Sequence, residues 1–131
     1  GQHNVYDEPP GSLQLLPYYG FCAPDDEIWR NTVAMIRAPS YAYSFADAPI
    51  AEIGCAHAPY PWILSLCNSL LCGHKEQAFQ ELEQMDMDNG IACESVDPVL
   101  GTCTTGAAFA TCAGFLCHSM KQASKEAAHA D

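Results

Sequence analysis

The chain has 131 residues, 49% of them apolar, which suits a single domain with a sizeable core. Sixteen acidic residues against five basic ones give a net charge of -11. That balance disfavours nucleic acid and anionic membrane surfaces, both of which need clustered Lys and Arg. No apolar run approaches ~18 residues, so no membrane span is expected.

Eight cysteines are far more than a cytosolic chain of this length carries, and the number is even. No Cys-x-x-Cys occurs, which argues against a zinc ribbon or a thioredoxin-type site. Cys22, Cys55, Cys67, Cys72, Cys93, Cys103, Cys112 and Cys117 therefore read as four disulfides in a secreted, extracellular protein. No basic-then-apolar signal peptide opens the chain, so a secreted form would be the mature one.

Residues 1–23 carry no helical period and are punctuated by Pro9-Pro10-Gly11 and Pro17-Tyr18-Tyr19-Gly20. They read as an extended arm, pinned by Cys22 and laid on the body through Tyr6, Leu13, Leu15, Leu16, Tyr18 and Tyr19. Residues 24–131 read as one disulfide-rich helical domain. Its first helix starts at Pro24-Asp25-Asp26-Glu27, where acids favour the positive end of the helix. Ile28, Trp29, Val33 and Ile36 follow at helical spacing, and Pro39 stops the run. Tyr41, Tyr43 and Phe45 alternate, as in a short strand or an aromatic turn.

Residues 59–72 read as a central buried helix, apolar on most faces. Residues 74–87 read as an amphipathic helix with Glu76, Glu81 and Glu83 toward water. Residues 91–103 read as a loop, stapled near both ends by Cys93 and Cys103. A last helix, capped by Thr104 or Thr105, runs toward Ala128. Cys67 and Cys72, like Cys112 and Cys117, are five positions apart on expected helices, ~140° around and ~8–9 Å apart. At that Cα separation a disulfide cannot close, so each would pair outside its own helix. The expected fold is an all-α, disulfide-stapled bundle of four or five helices with an irregular N-terminal arm.

Signs of catalysis are few. His118 follows Cys117 but precedes Ser119, not the aspartate of a secreted phospholipase, and no Gly-x-Ser-x-Gly elbow occurs. His57, His74 and His118 read as surface or satisfied histidines. Asp86-Met87-Asp88-Asn89-Gly90 has part of a calcium loop's oxygen set but not its spacing or closing glutamate. Gly1-Gln2-His3 would bind Cu(II) only at a free natural N-terminus. No catalytic residue, metal or cofactor is assigned. Trp62, Leu66, Leu70, Phe79, Phe109, Phe115 and Met120 could line an apolar cavity, or simply make the core.

In composition and length the chain resembles the small secreted cysteine-rich effector-type proteins of fungi and oomycetes. Cys67, Cys72 and Cys93 also resemble the Cys-x4-Cys helix and following cysteine of elicitins, helical sterol binders of oomycetes. The resemblance implies a secreted, non-enzymatic protein acting in virulence or signalling by recognising a protein or glycan partner. Tyr18, Tyr19, Tyr41 and Tyr43 are the candidate binding residues. The alternative is a carrier of a small apolar ligand such as a sterol or fatty acid, and the third reading is a small secreted hydrolase.

Overall fold

A computed structural model describes residues 13–129. The first half of the expected arm, with Tyr6 and the Gly1-Gln2-His3 copper motif, lies outside the described residues. The second half folds onto the body. Leu13–Leu15 forms a 3-10 turn, with Leu15 fully buried. The side chain of Gln14 donates from Nε2 to the Cys72 carbonyl at 3.2 Å.

Helix α1 spans Glu27–Ile36. Asp26 caps it, accepting from the Trp29 backbone N–H at 2.8 Å, and so satisfies one of the donors that a helix start leaves open. Trp29, Val33 and Ile36 form its inward stripe, with the spacing read from the sequence.

Helix α2 spans Ile63–Leu71, and every residue from Ile63 to Leu70 is buried. No side chain caps its start. The Ile63 N–H instead donates to the Glu94 carbonyl at 3.0 Å, so the helix begins where a neighbouring segment supplies the acceptor. Gly73, at φ 92°, reverses the chain after it. Helix α3, Lys75–Gln84, and helix α4, Ala110–His129, both pack against α2. Leu66, Leu70, Ala78, Cys112, Leu116 and Ala123 fill the core between the three.

The loop expected at 91–103 contains the first half of a sheet. Strand β1 (Ser95–Val96) pairs antiparallel with β2 (Cys103–Thr105), in the register Ser95 to Thr105 and Val96 to Cys103 with a bulge between. Trp62 bridges to Ser95, which ties the sheet to the start of α2. Thr104 and Thr105 are strand residues, so they do not cap α4. The fold is therefore mixed α/β, which corrects the all-α expectation.

The staples are corrected too. No two cysteines come to bonding distance, and the nearest pair comes only to 3.7 Å, against ~2.05 Å for a disulfide. Cys55, Cys67, Cys72, Cys93 and Cys112 are buried and fill space as small apolar groups. Burial pushes the Cys67, Cys93 and Cys112 thiols up to about 12, so they stay protonated at neutral pH.

Candidate functional site

A cleft of about 920 Å³ opens between the Pro17-Tyr18 segment, α1 and the end of α2. Its wall includes Tyr18, Trp29, Arg30, Arg37, Leu71 and His74. Trp29 is 8% exposed, and its indole N–H is shared by the carbonyls of Leu13 (3.2 Å) and Gln14 (3.3 Å). The ring therefore presents a fixed apolar surface. Arg37, at the end of α1, is held from three sides. Its guanidinium donates to Gln14 Oε1 (3.4 Å), to the Ala51 carbonyl (3.1 Å) and to Glu52 Oε2 (3.1 Å). His74 is half-buried, and burial followed by the Arg37 charge lowers its pKa below the usual histidine value. It is thus neutral at neutral pH, with one donor and one acceptor nitrogen.

Behind Arg37 lies a buried carboxylate pair. Glu52 is 0% and Glu81 2% exposed. Besides Arg37, Glu52 accepts from Ser65 Oγ (2.6 Å) and Ser69 Oγ (2.8 Å), both on α2. Glu81 Oε1 accepts from the Ala51 N–H (3.1 Å) and the Gln77 amide (2.7 Å). Glu81 Oε2 has no donor among the described residues. Burial, then the neighbouring Glu52 charge, pushes the Glu81 carboxyl up to about 8. Glu81 therefore favours the protonated form at neutral pH, which spares the pair a second buried negative charge.

The sequence placed Glu81 toward water and did not single out Glu52. The signal was there for Glu52, which stands in Ile50-Ala51-Glu52-Ile53, a charge flanked by two isoleucines that are themselves buried. Gln77, one turn before Glu81, was the hint for the second carboxylate.

The four candidate tyrosines separate. Tyr18 and Tyr19 are 38% and 67% exposed, with rings 5.3 Å apart edge to face. Tyr41 is buried with Ile36 and Ile53, and its hydroxyl donates to the Gly54 carbonyl at 3.2 Å. Tyr43 packs partly buried against that cluster. The structure thus brings Tyr18 to the cleft, with Tyr19 against it, and keeps Tyr41 and Tyr43 in a separate cluster. Trp62, Leu66 and Leu70, together with Phe79, Phe109, Phe115 and Met120, join the main core and do not line the cleft. The Asp86–Gly90 segment is a tight turn, with Asn89 and Gly90 in the left-handed region. Among the described residues, no group of three or more His, Cys, Asp or Glu could hold a metal ion. No helix among them is long and apolar enough to cross a membrane.

A fixed indole, a half-exposed tyrosine, a guanidinium and a neutral imidazole thus meet around one cleft, which combines apolar faces with hydrogen-bonding groups. Residues 1–120 match the family model described as metal-independent alpha-mannosidase (GH125). The chain belongs to that family. No curated protein and no solved structure is similar enough to count as a match. Family membership overturns the effector and elicitin resemblance, and with it the non-enzymatic reading. A glycoside hydrolase family takes the place of both the recognition protein and the apolar carrier.

Proposed function

We propose that this chain acts in the hydrolysis of α-linked mannosides, with the cleft between α1 and the end of α2 holding a mannosyl residue. The family match over residues 1–120 carries this reading. The cleft supports it: Trp29 and Tyr18 offer rings to the C–H faces of a sugar, and Arg30, Arg37 and His74 offer partners to its hydroxyls.

The buried carboxylates are not the reacting pair. Glycosidases of the usual kind set two carboxyl groups ~5–5.5 Å apart if retaining, or ~6.5–9.5 Å if inverting, across the bond to be broken. Glu52 and Glu81 are neighbours whose charges interact, both sealed from solvent, so neither can reach a sugar in the cleft. Their work is to fix Arg37 and the 50–53 segment against α2 and α3. No Asp or Glu among the described residues lines the cleft. The cleft accordingly takes the recognition role, and the acid and base are not assigned to it.

The test is release of mannose from α-mannobiosides and aryl α-mannosides by the purified, folded chain, with and without a chelator. Release from the α- but not the β-anomers, indifferent to chelator, is the expected result. A folded chain that releases mannose from no α-mannoside would overturn the proposal.

A further inference from the structure

We propose that Tyr18, Tyr19 and Phe21 continue the cleft as an aromatic strip that binds further residues of a neutral oligomannoside chain. This rests on the reading of the cleft as a sugar site, and deepens it from a single mannosyl residue to a chain of them.

Three observations meet here. The first is continuity. Tyr18 belongs to the cleft wall and is also 38% exposed, and beyond it Tyr19 and Phe21 are 67% and 78% exposed. The Tyr19 ring lies 5.3 Å from that of Tyr18, and Phe21, two residues on, stands in solvent.

The second is rigidity. The Tyr19 N–H donates to the Leu15 carbonyl, that of Gly20 to Pro17 and that of Phe21 to Leu16, at 3.0–3.1 Å. Leu15 is fully buried, Gly20 takes φ 75° to turn the chain between the two outer rings, and the Tyr18 hydroxyl is hydrogen-bonded to His118 Nε2 on α4. Exposed rings on a backbone fixed in this way lose little freedom when a ligand stacks on them.

The third is charge. Asp25 and Glu27 are exposed beside Pro24, which lines the cleft, and the whole chain carries -11. A polyanion such as nucleic acid or a sulfated glycan would be repelled. A neutral sugar chain meets no such penalty, stacks its C–H faces on the rings and leaves its hydroxyls in water.

The experiment compares methyl α-mannoside with linear α-mannobiose and α-mannotetraose, binding to the full chain by calorimetry and by amide and indole NMR shifts. The expected result is that the tetrasaccharide binds at least about ten-fold tighter than the monosaccharide. In the double variant Tyr19→Ala, Phe21→Ala that gain should vanish, while monosaccharide affinity and melting temperature stay as in the parent. If affinity does not grow with chain length, or grows equally in the variant, the strip is not a subsite. The monosaccharide shifts at Trp29 and Arg30 would then still uphold the cleft. If no sugar shifts these residues, the cleft reading itself fails. A dilution-dependent dimer abolished by the same double variant would overturn the proposal in favour of contact between copies.

Discussion

At Glu81 a protonated carboxyl does what a neutral amide would do. Its proton removes a charge that would face buried Glu52, and its Oε1 accepts from Ala51 and Gln77. The folded pKa, about 8, lies above the reference value of 4.5. Between those two pH values the unfolded chain has released the proton and the folded chain has kept it, so folding binds a proton. Stability is therefore full below the unfolded value and falls as pH rises toward about 8, at about 1.4 kcal/mol per pH unit of separation, with little further loss above. Glu81→Gln keeps a neutral side chain of the same shape beside Glu52 and removes the titration. Urea melts should show the variant close to the parent near pH 5 and clearly more stable at pH 9. A parent whose stability does not fall over that window would refute the raised Glu81 carboxyl. Arg37 is the complement. Arg37→Met leaves the fully buried Glu52 without its ion pair, and should cost about 3–5 kcal/mol.

Among the elements, those with a long, clean period were legible from the sequence. Helix α1 begins one residue after the Asp26 cap and ends before Pro39, and α2 is the buried centre, because Trp29, Val33 and Ile36 and then Ile63, Leu66 and Leu70 repeat at the spacing of a helix. Asp26→Ala should cost about 1 kcal/mol in thermal melts, through loss of the bond to the Trp29 N–H. The sheet was not legible. Its strands are two and three residues long, too short to show alternation, and Pro98 and Gly101 between them read equally well as a loop. What makes the sheet possible is a close approach that no pattern announces. Gly101 sits at φ 70°, its carbonyl receives the Asp86 and Met87 N–H groups, and a Cβ there would lie 2.5 Å from the Gln84 carbonyl oxygen. Gly101→Ala therefore meets both backbone strain and a clash, and should lower the melting point more than Gly90→Ala, where the backbone is also left-handed but the space is open. Equal effects at the two glycines would show that the contact carries no weight. The cleft lay outside sequence reasoning for a related reason. Tyr18, Trp29, Arg37 and His74 come from three separate segments, and only packing brings them to one wall.

For the whole molecule, the cysteine count pointed to a skeleton of disulfides, and the packing replaces it with thiols. An even number of cysteines in a short chain is good evidence of pairing only where the core is too small to hold the fold. Here α2 is buried along its length between α3 and α4, and Cys67 and Cys112, both 0% exposed, are part of that core. The extracellular expectation leaned on the pairing and loses that support. If the fold is held by its core, a strong reductant should leave the melting temperature unchanged, whereas each structural bridge lost would remove about 2–5 kcal/mol. Thiol titration under denaturing, non-reducing conditions should count eight. In the folded state a brief alkylation should mark exposed Cys117 first and leave Cys67, Cys93 and Cys112 untouched, because burial both hides them and keeps them protonated. A melting point that drops on reduction, or a count below eight, would restore the disulfides. An unchanged melting point with eight thiols would place the stability of the fold in the packing of α2, α3 and α4.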